Sequence, residues 1–333
     1  MKRLRQFWGR RPNVYGLLLF ALVIGCLPLL ISSPYLLSTG IFIGIASILT
    51  LGLCLLMGYA GQVSLGHAAF YGIGAYTSAI LTVKLDVSPW LAMVLGVLIT
   101  GMAAYVIGSL IFRLSGHYLA VATLGLGIVV FLAFIEFPEL TGGSSGLPGV
   151  PRLAVGSFTF STDRAYYYLV WSVVLVLMAL SLNVVNSRVG RALRAIHASE
   201  LAADSVGIDA SRYKLQVLVL SAVFASIAGS LYVHYMRFVS PQPFDFAASV
   251  RLVVMAAVGG LASVWGAPFG AAAVILLTLF LRESLPMVVP NASGEHTVIA
   301  YGIILVLIMI YMPDGLTSGL LKSVRWRSSR SKN

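Results

Sequence analysis

The sequence predicts an all-α polytopic membrane protein of about eight full transmembrane helices plus one broken or re-entrant element. Three observations carry this. Charged residues are 10% of the 333, whereas a soluble domain normally has about a quarter. Hydrophobic residues are 59% and the mean hydropathy is +0.95. Uncharged apolar runs recur along the chain, many near the roughly 20 residues that a helix needs to cross a hydrocarbon core about 30 Å thick. The few charges could not cover a soluble surface of this size.

In chain order, Lys2, Arg3, Arg5, Arg10 and Arg11 precede an apolar run over 14–32. It exceeds the ~7–15 residues of a signal-peptide core and no A-x-A site follows, so it reads as the first span. Runs follow at 34–57, 64–83, 90–112 and 118–135, the second of these starting in a glycine-rich stretch. The stretch 136–165, with Thr141-Gly142-Gly143-Ser144-Ser145-Gly146, Pro148 and Pro151, has turn chemistry and no room for a soluble domain. Runs at 166–185 and 215–236 flank a polar segment, and 252–281 and 297–312 complete the series. The whole is one membrane domain, 1–333, with its core over 12–315, a cytoplasmic loop at 187–213 and a basic tail at 316–333.

Charge fixes the orientation. With the N-terminus inside, the inner segments hold +5 over 2–11, +1 at Arg113, +2 over 187–214 and +4 over 313–333, together +12, against −1 outside. Basic residues favour the cytoplasmic side, so both termini belong there. Parity then bears on 252–281: a single crossing would leave the basic tail outside. A hairpin that enters and returns repairs this, and Gly259-Gly260, with Gly266-Ala267-Pro268 beyond, is where it would break; a kinked helix is the alternative.

The segment 186–214 is alanine-rich, with Leu193, Ile196, Ala203 and Val206 interspersed among charges, and reads as a short amphipathic helix that Gly207 ends. It suits a partner's groove or a solvated connector. Over 58–74, five glycines with Gln62, Ser64 and His67 interrupt hydrophobic helix. Such polar groups either face a cavity or satisfy freed backbone in a tight turn. His67 has no second His or Cys at metal-ligand spacing, and Cys26 and Cys54 read as small hydrophobes. His234, Arg237, Asp245 and Arg251 read as outer-end groups, either interfacial anchors or contacts for a delivery protein. None of the five lysines follows a G-x-x-x-x-G pattern, so a P-loop is excluded. The apolar runs hold no Asp or Glu, which argues against a proton- or sodium-coupled carrier or channel.

Arg191-Ala192-Leu193-Arg194-Ala195-Ile196, followed by Glu200-x-Ala202-Ala203 and Gly207, resembles the EAA-type loop of ATP-binding-cassette (ABC) importer permeases. Three more stretches are similar to the permease subunits of branched-chain amino acid ABC importers, the LivM-like branch: Gly58-Tyr59-Ala60-Gly61-Gln62-Val63-Ser64-Leu65-Gly66-His67, the Gly142-Gly143 loop, and 255–271. Ser145, where that family usually has Asp or Asn, and Gly266-Ala267-Pro268, in place of adjacent Gly-Pro, are departures. The resemblance implies a transport subunit of the bacterial inner membrane with no cofactor, metal or nucleic acid. It implies two ATPase subunits, a second permease of LivH-like type and a periplasmic substrate-binding protein as partners. Arg191, Glu200, Ala203 and Gly207 would couple to the ATPase, and Gly61, Gln62, Ser64, His67, Gly259 and Gly260 would line the pathway. Branched-chain amino acids are the implied cargo, with urea, short amides or simple sugars as the alternative.

Overall fold

A computed structural model describes residues 12–30, 33–112, 117–156 and 158–288, with 302–303, 306, 310 and 315–316 beyond them. The basic segment 2–11, Arg113, most of the expected last span and nearly all of the basic tail lie outside the described residues.

The first helix, α1 (Pro12–Leu30), leads to α2 (Pro34–Leu53), which continues as a π-helical turn over Cys54–Tyr59. Pro34–Tyr59 is apolar all round and 78% buried, so it forms the central post of the bundle. Its glycines seat neighbouring aromatics: a Cβ on Gly40 would lie 2.8 Å from the Tyr167 ring, and one on Gly44 would lie 2.6 Å from Val170. Without a hydrophobic drive between helices in lipid, such close approach supplies the packing.

After residues 60–66 come α3 (His67–Lys84), α4 (Pro89–Ile111) and α5 (His117–Glu136). Every fourth residue of α4 from Ala92 to Gly108 is small and buried, including Gly96, Thr100 and Ala104, and this ridge faces inward. The rest of α4 and nearly all of α5 is outward-facing: only 28% and 17% of their apolar windows are buried.

The outer connection is more structured than its turn residues indicated. A short helix α6 (Pro138–Thr141) and a 3₁₀ turn (Gly143–Ser145) precede β1 (Leu147–Pro148), β2 (Ala154–Val155) and β3 (Phe158–Thr159). β2 and β3 pair as a small hairpin, while β1 pairs antiparallel with β4 (Phe238–Val239), joining loops about 90 residues apart.

Next follow α7 (Asp163–Asn186), two short helices α8 (Arg188–Ala198) and α9 (Glu200–Ser205), and α10 (Ala210–Met236). α10 runs alongside α3: a Cβ on Gly74 would lie 2.4 Å from Ser226 Cα, and one on Gly229 would lie 2.3 Å from the Tyr71 carbonyl. Nearer the outer rim, Ser78 Oγ meets His234 Nε2 at 2.9 Å, and His234 Nδ1 meets the Pro151 carbonyl at 2.7 Å. His234 is therefore a buried tie between spans and outer loop.

The final described pair is α11 (Phe246–Gly259) and α12 (Gly266–Val288). The break at 260–265 falls where the glycines place it. Residue 259 lies against 266 and residue 270 against 255, so the two helices run antiparallel and form a hairpin instead of one kinked helix. One correction follows. α11 begins at Phe246, so Arg251 is inside it and not in an outer loop. Six described helices are long and apolar enough to span a membrane, α1 and α11 are shorter apolar helices, and α3 is less apolar; the count of about eight full spans is not reached among the described residues.

Candidate functional site

α8 owes its existence to a clear polar boundary. Ser187 caps it, accepting from Val189 N, and Gly190, Ala192, Leu193 and Ile196 form its buried face while Arg191 and Arg194 look outward. This is a strongly two-faced helix of the kind that lies on a surface. Ser199 caps α9 in the same way through Ala202 N.

The end of α9 is a complete Schellman turn. Ile208 N donates to the Ala203 carbonyl (3.0 Å), Gly207 N donates to the Asp204 carbonyl (3.0 Å), and Gly207 has φ +83°. Ala203, Ile196 and Ala210 are buried against Ile208 and lock this turn onto α10. Nothing lies within 4 Å of a Cβ built at Gly207, so its requirement is purely conformational. Replacing Gly207 by valine should cost about 1–3 kcal/mol, whereas asparagine, which tolerates the left-handed region, should be nearly neutral. Thermal unfolding of the purified chain compares the two; equal effects would remove the conformational explanation.

The four expected coupling residues differ in position. Arg191 is exposed, Ala203 is buried, Gly207 forms the turn, and Glu200 is ion-paired with Lys214 of α10, whose side chain is only 6% exposed. Two further side chains project from α9 without cover: Leu201 is 85% exposed and Val206 is 73% exposed.

The 58–67 signature leaves the π turn after Tyr59, runs without regular structure over 60–66 and re-enters the bundle as α3 at His67. Gln62 N donates to the Leu56 carbonyl (3.1 Å) across the π turn, and Gly61 turns the chain with φ +69°. From there, neighbouring helices satisfy freed N–H groups: Leu65 N donates to Thr123 Oγ1 of α5 (3.1 Å) and Ala68 N donates to Ser249 Oγ of α11 (3.0 Å). Gln62 Nε2 donates to the Ala60 carbonyl. Ser64 Oγ is buried without a hydrogen bond; His67, fully buried, makes none of ordinary geometry, although the Leu49 carbonyl faces its ring. Gln62 and Ser64 border a narrow crevice lined with Leu56, Phe70, Leu119 and Leu126.

Three motifs that are far apart in sequence meet at the inner end of α2. A Cβ on Gly61 would lie 3.2 Å from the His197 ring of α8. Tyr59 sits beside Arg194 of α8 and within hydrogen-bonding reach of the Val264 backbone in the α11–α12 break. A Cβ on Gly58 would overlap the Leu261 carbonyl oxygen of the same break at 1.8 Å. Helix α8, the signature turn and the hairpin break thus meet around Tyr59 and Gly61. Gly259 and Gly260 belong to this junction by backbone proximity, while His67 lies further along, against α2 and α11. Sequence spacing gave no sign of the junction, nor of the Glu200–Lys214 pair.

A bundle of apolar helices with an amphipathic helix pair at one end defines a polytopic membrane protein. The chain belongs to the family described as branched-chain amino acid transport system, permease component, whose profile matches residues 35–312. It is 32% identical to the high-affinity branched-chain amino acid transport system permease protein LivM of Salmonella typhimurium, over 86% of this chain and 70% of the relative. Against LivM of Escherichia coli K12 the identity is 31%, over 88% and 74%. The permease protein LivH of Salmonella typhimurium is 25% identical, over 81% and 90%. No solved structure matches the chain.

Proposed function

We propose that the chain is the LivM-type permease subunit of an ABC importer that carries branched-chain amino acids across the bacterial inner membrane, with both termini cytoplasmic. It works beside a LivH-like second permease, two ATPase subunits that hydrolyse ATP, and a periplasmic binding protein that delivers cargo. The helix pair α8–α9 is the ATPase contact. The observation that carries this is the pairing of two exposed apolar side chains, Leu201 and Val206, with a turn rigidly anchored on α10. An apolar knob presented on a fixed helix fits a hydrophobic groove on a partner. Motion of that partner reaches α2 and the hairpin break through His197, Gly61 and Tyr59. Coupling of this kind requires the ATPase to hold α8–α9 differently in its two states.

The complete complex in proteoliposomes is expected to take up leucine in an ATP- and binding-protein-dependent way, and not urea, acetamide or ribose. Leu201→Asp combined with Val206→Asp should abolish uptake and co-purification of the ATPase while leaving the permease folded. Uptake that persists without ATPase would return the chain to the carrier class; uptake of ribose but not leucine would overturn the cargo.

A further inference from the structure

α11 carries a single charge, Arg251, whose side chain is exposed on the isolated chain while its neighbours set it well along the length of the bundle. Phe244, before the helix starts, already packs on Tyr71 and Tyr76 of α3, with ring centroids 4.9 and 5.9 Å away. Ser249 reaches the first turn of α3 through Ala68 N. Arg251 is further on still, and it lines a cavity of about 310 Å³. The α2 wall of that cavity includes Phe42 and Leu49, halfway along Pro34–Tyr59, and its α12 wall includes Val274 and Leu279, halfway along Gly266–Ser284. The cavity therefore sits at mid-membrane depth, and its volume suits one small molecule.

Among the described residues Arg251 makes no hydrogen bond and no ion pair, and no Asp or Glu lines the cavity. A charged side chain at this depth normally faces a cavity and has a partner. Since the walls supply none and the side chain is exposed, its partner comes from outside the chain, either a neighbouring subunit or the occupant of the cavity. The guanidinium fork matches a carboxylate in bidentate geometry. The remaining walls are mostly aliphatic, and the rings of Tyr71 and Tyr232, 5.7 Å apart, offer π faces suited to an ammonium group. We propose that this cavity is a mid-membrane station for a free α-amino acid with an aliphatic side chain, held through its α-carboxylate by Arg251. The inference rests on the proposed cargo class and sharpens it: urea, amides and sugars have no carboxylate to offer.

Thr278 lines the same cavity. A cysteine at position 278, with Cys26 and Cys54 replaced by alanine, reports occupancy in the full permease–ATPase complex in proteoliposomes. L-Leucine should slow its labelling by a small water-soluble thiol reagent, and leucinamide should not. Arg251→Ala should weaken the protection about tenfold or more, the usual effect of losing a hydrogen bond to a charged group, and Arg251→Lys should retain part of it. Equal protection by leucinamide, or undiminished protection in Arg251→Ala, overturns the station. So does loss of the second permease on co-purification of both Arg251 variants, which would make the guanidinium a subunit contact. If the wild-type complex takes up leucine but position 278 is never protected, this inference alone falls; if it takes up no leucine, the cargo reading falls with it.

Discussion

Gly270→Ala should unfasten the α11–α12 hairpin. An alanine Cβ there would sit 2.1 Å from the Met255 carbonyl oxygen and 2.7 Å from Gly259 N, both backbone atoms of the opposing helix. Overpacking a core side chain typically costs about 1–3 kcal/mol, and a clash with backbone that has no rotamer to change belongs at or above the top of that range. Gly125→Ala is the matched control, because nothing lies within 4 Å of a Cβ at that site. Size-exclusion profiles and thermal unfolding of the two purified variants should separate clearly. Indistinguishable behaviour would mean that the hairpin is looser than its backbone contacts imply.

Disrupting the Glu200–Lys214 pair should have the next largest effect. The lysine side chain is 6% exposed and the glutamate 45%, so removing Glu200 strands a buried cation while removing Lys214 frees a half-exposed anion. Breaking a fully buried pair costs about 3–5 kcal/mol, and solvent on the glutamate side reduces this to about 1–3 kcal/mol here. Glu200→Lys should be worse than Glu200→Ala, and the swap Glu200→Lys with Lys214→Glu should recover much of the loss. Lys214→Met, which removes the buried charge and keeps the stem, should be mild. Unfolding of the permease and retention of ATPase are the two readouts. If Glu200→Ala leaves stability intact yet releases the ATPase, the carboxylate acts on the partner and not on Lys214.

The parts of this architecture that depend on local chemistry were legible in the sequence. Gly207 has the αL conformation that a helix-ending glycine implies, and the hairpin breaks at Gly260, whose φ of +108° no right-handed helix contains. The amphipathic segment and the turn-rich 136–165 connection, both set apart by their polar residues, lie at opposite ends of α7. What stayed hidden was long-range. Glu200 and Lys214 are 14 residues apart and on different helices, so no helical spacing signals their pairing. Arg251 read as an interfacial residue because it borders an apolar run; only the deep start of α11 shows otherwise. The outer strands are two residues each, too short to leave an alternating pattern. Ser249 and Thr123 belong to no sequence motif, yet both serve the backbone of another segment.

Those two hydroxyls make the bundle an interlock. The unwound stretch before α3 alternates exposed and buried positions, and at the buried ones an N–H stripped of its acceptor in apolar surroundings costs several kcal/mol. α11 therefore cannot withdraw from the start of α3 without exposing Ala68 N, and α5 cannot withdraw without exposing Leu65 N. A stroke that shifts the hairpin is therefore expected to carry the root of α3 with it.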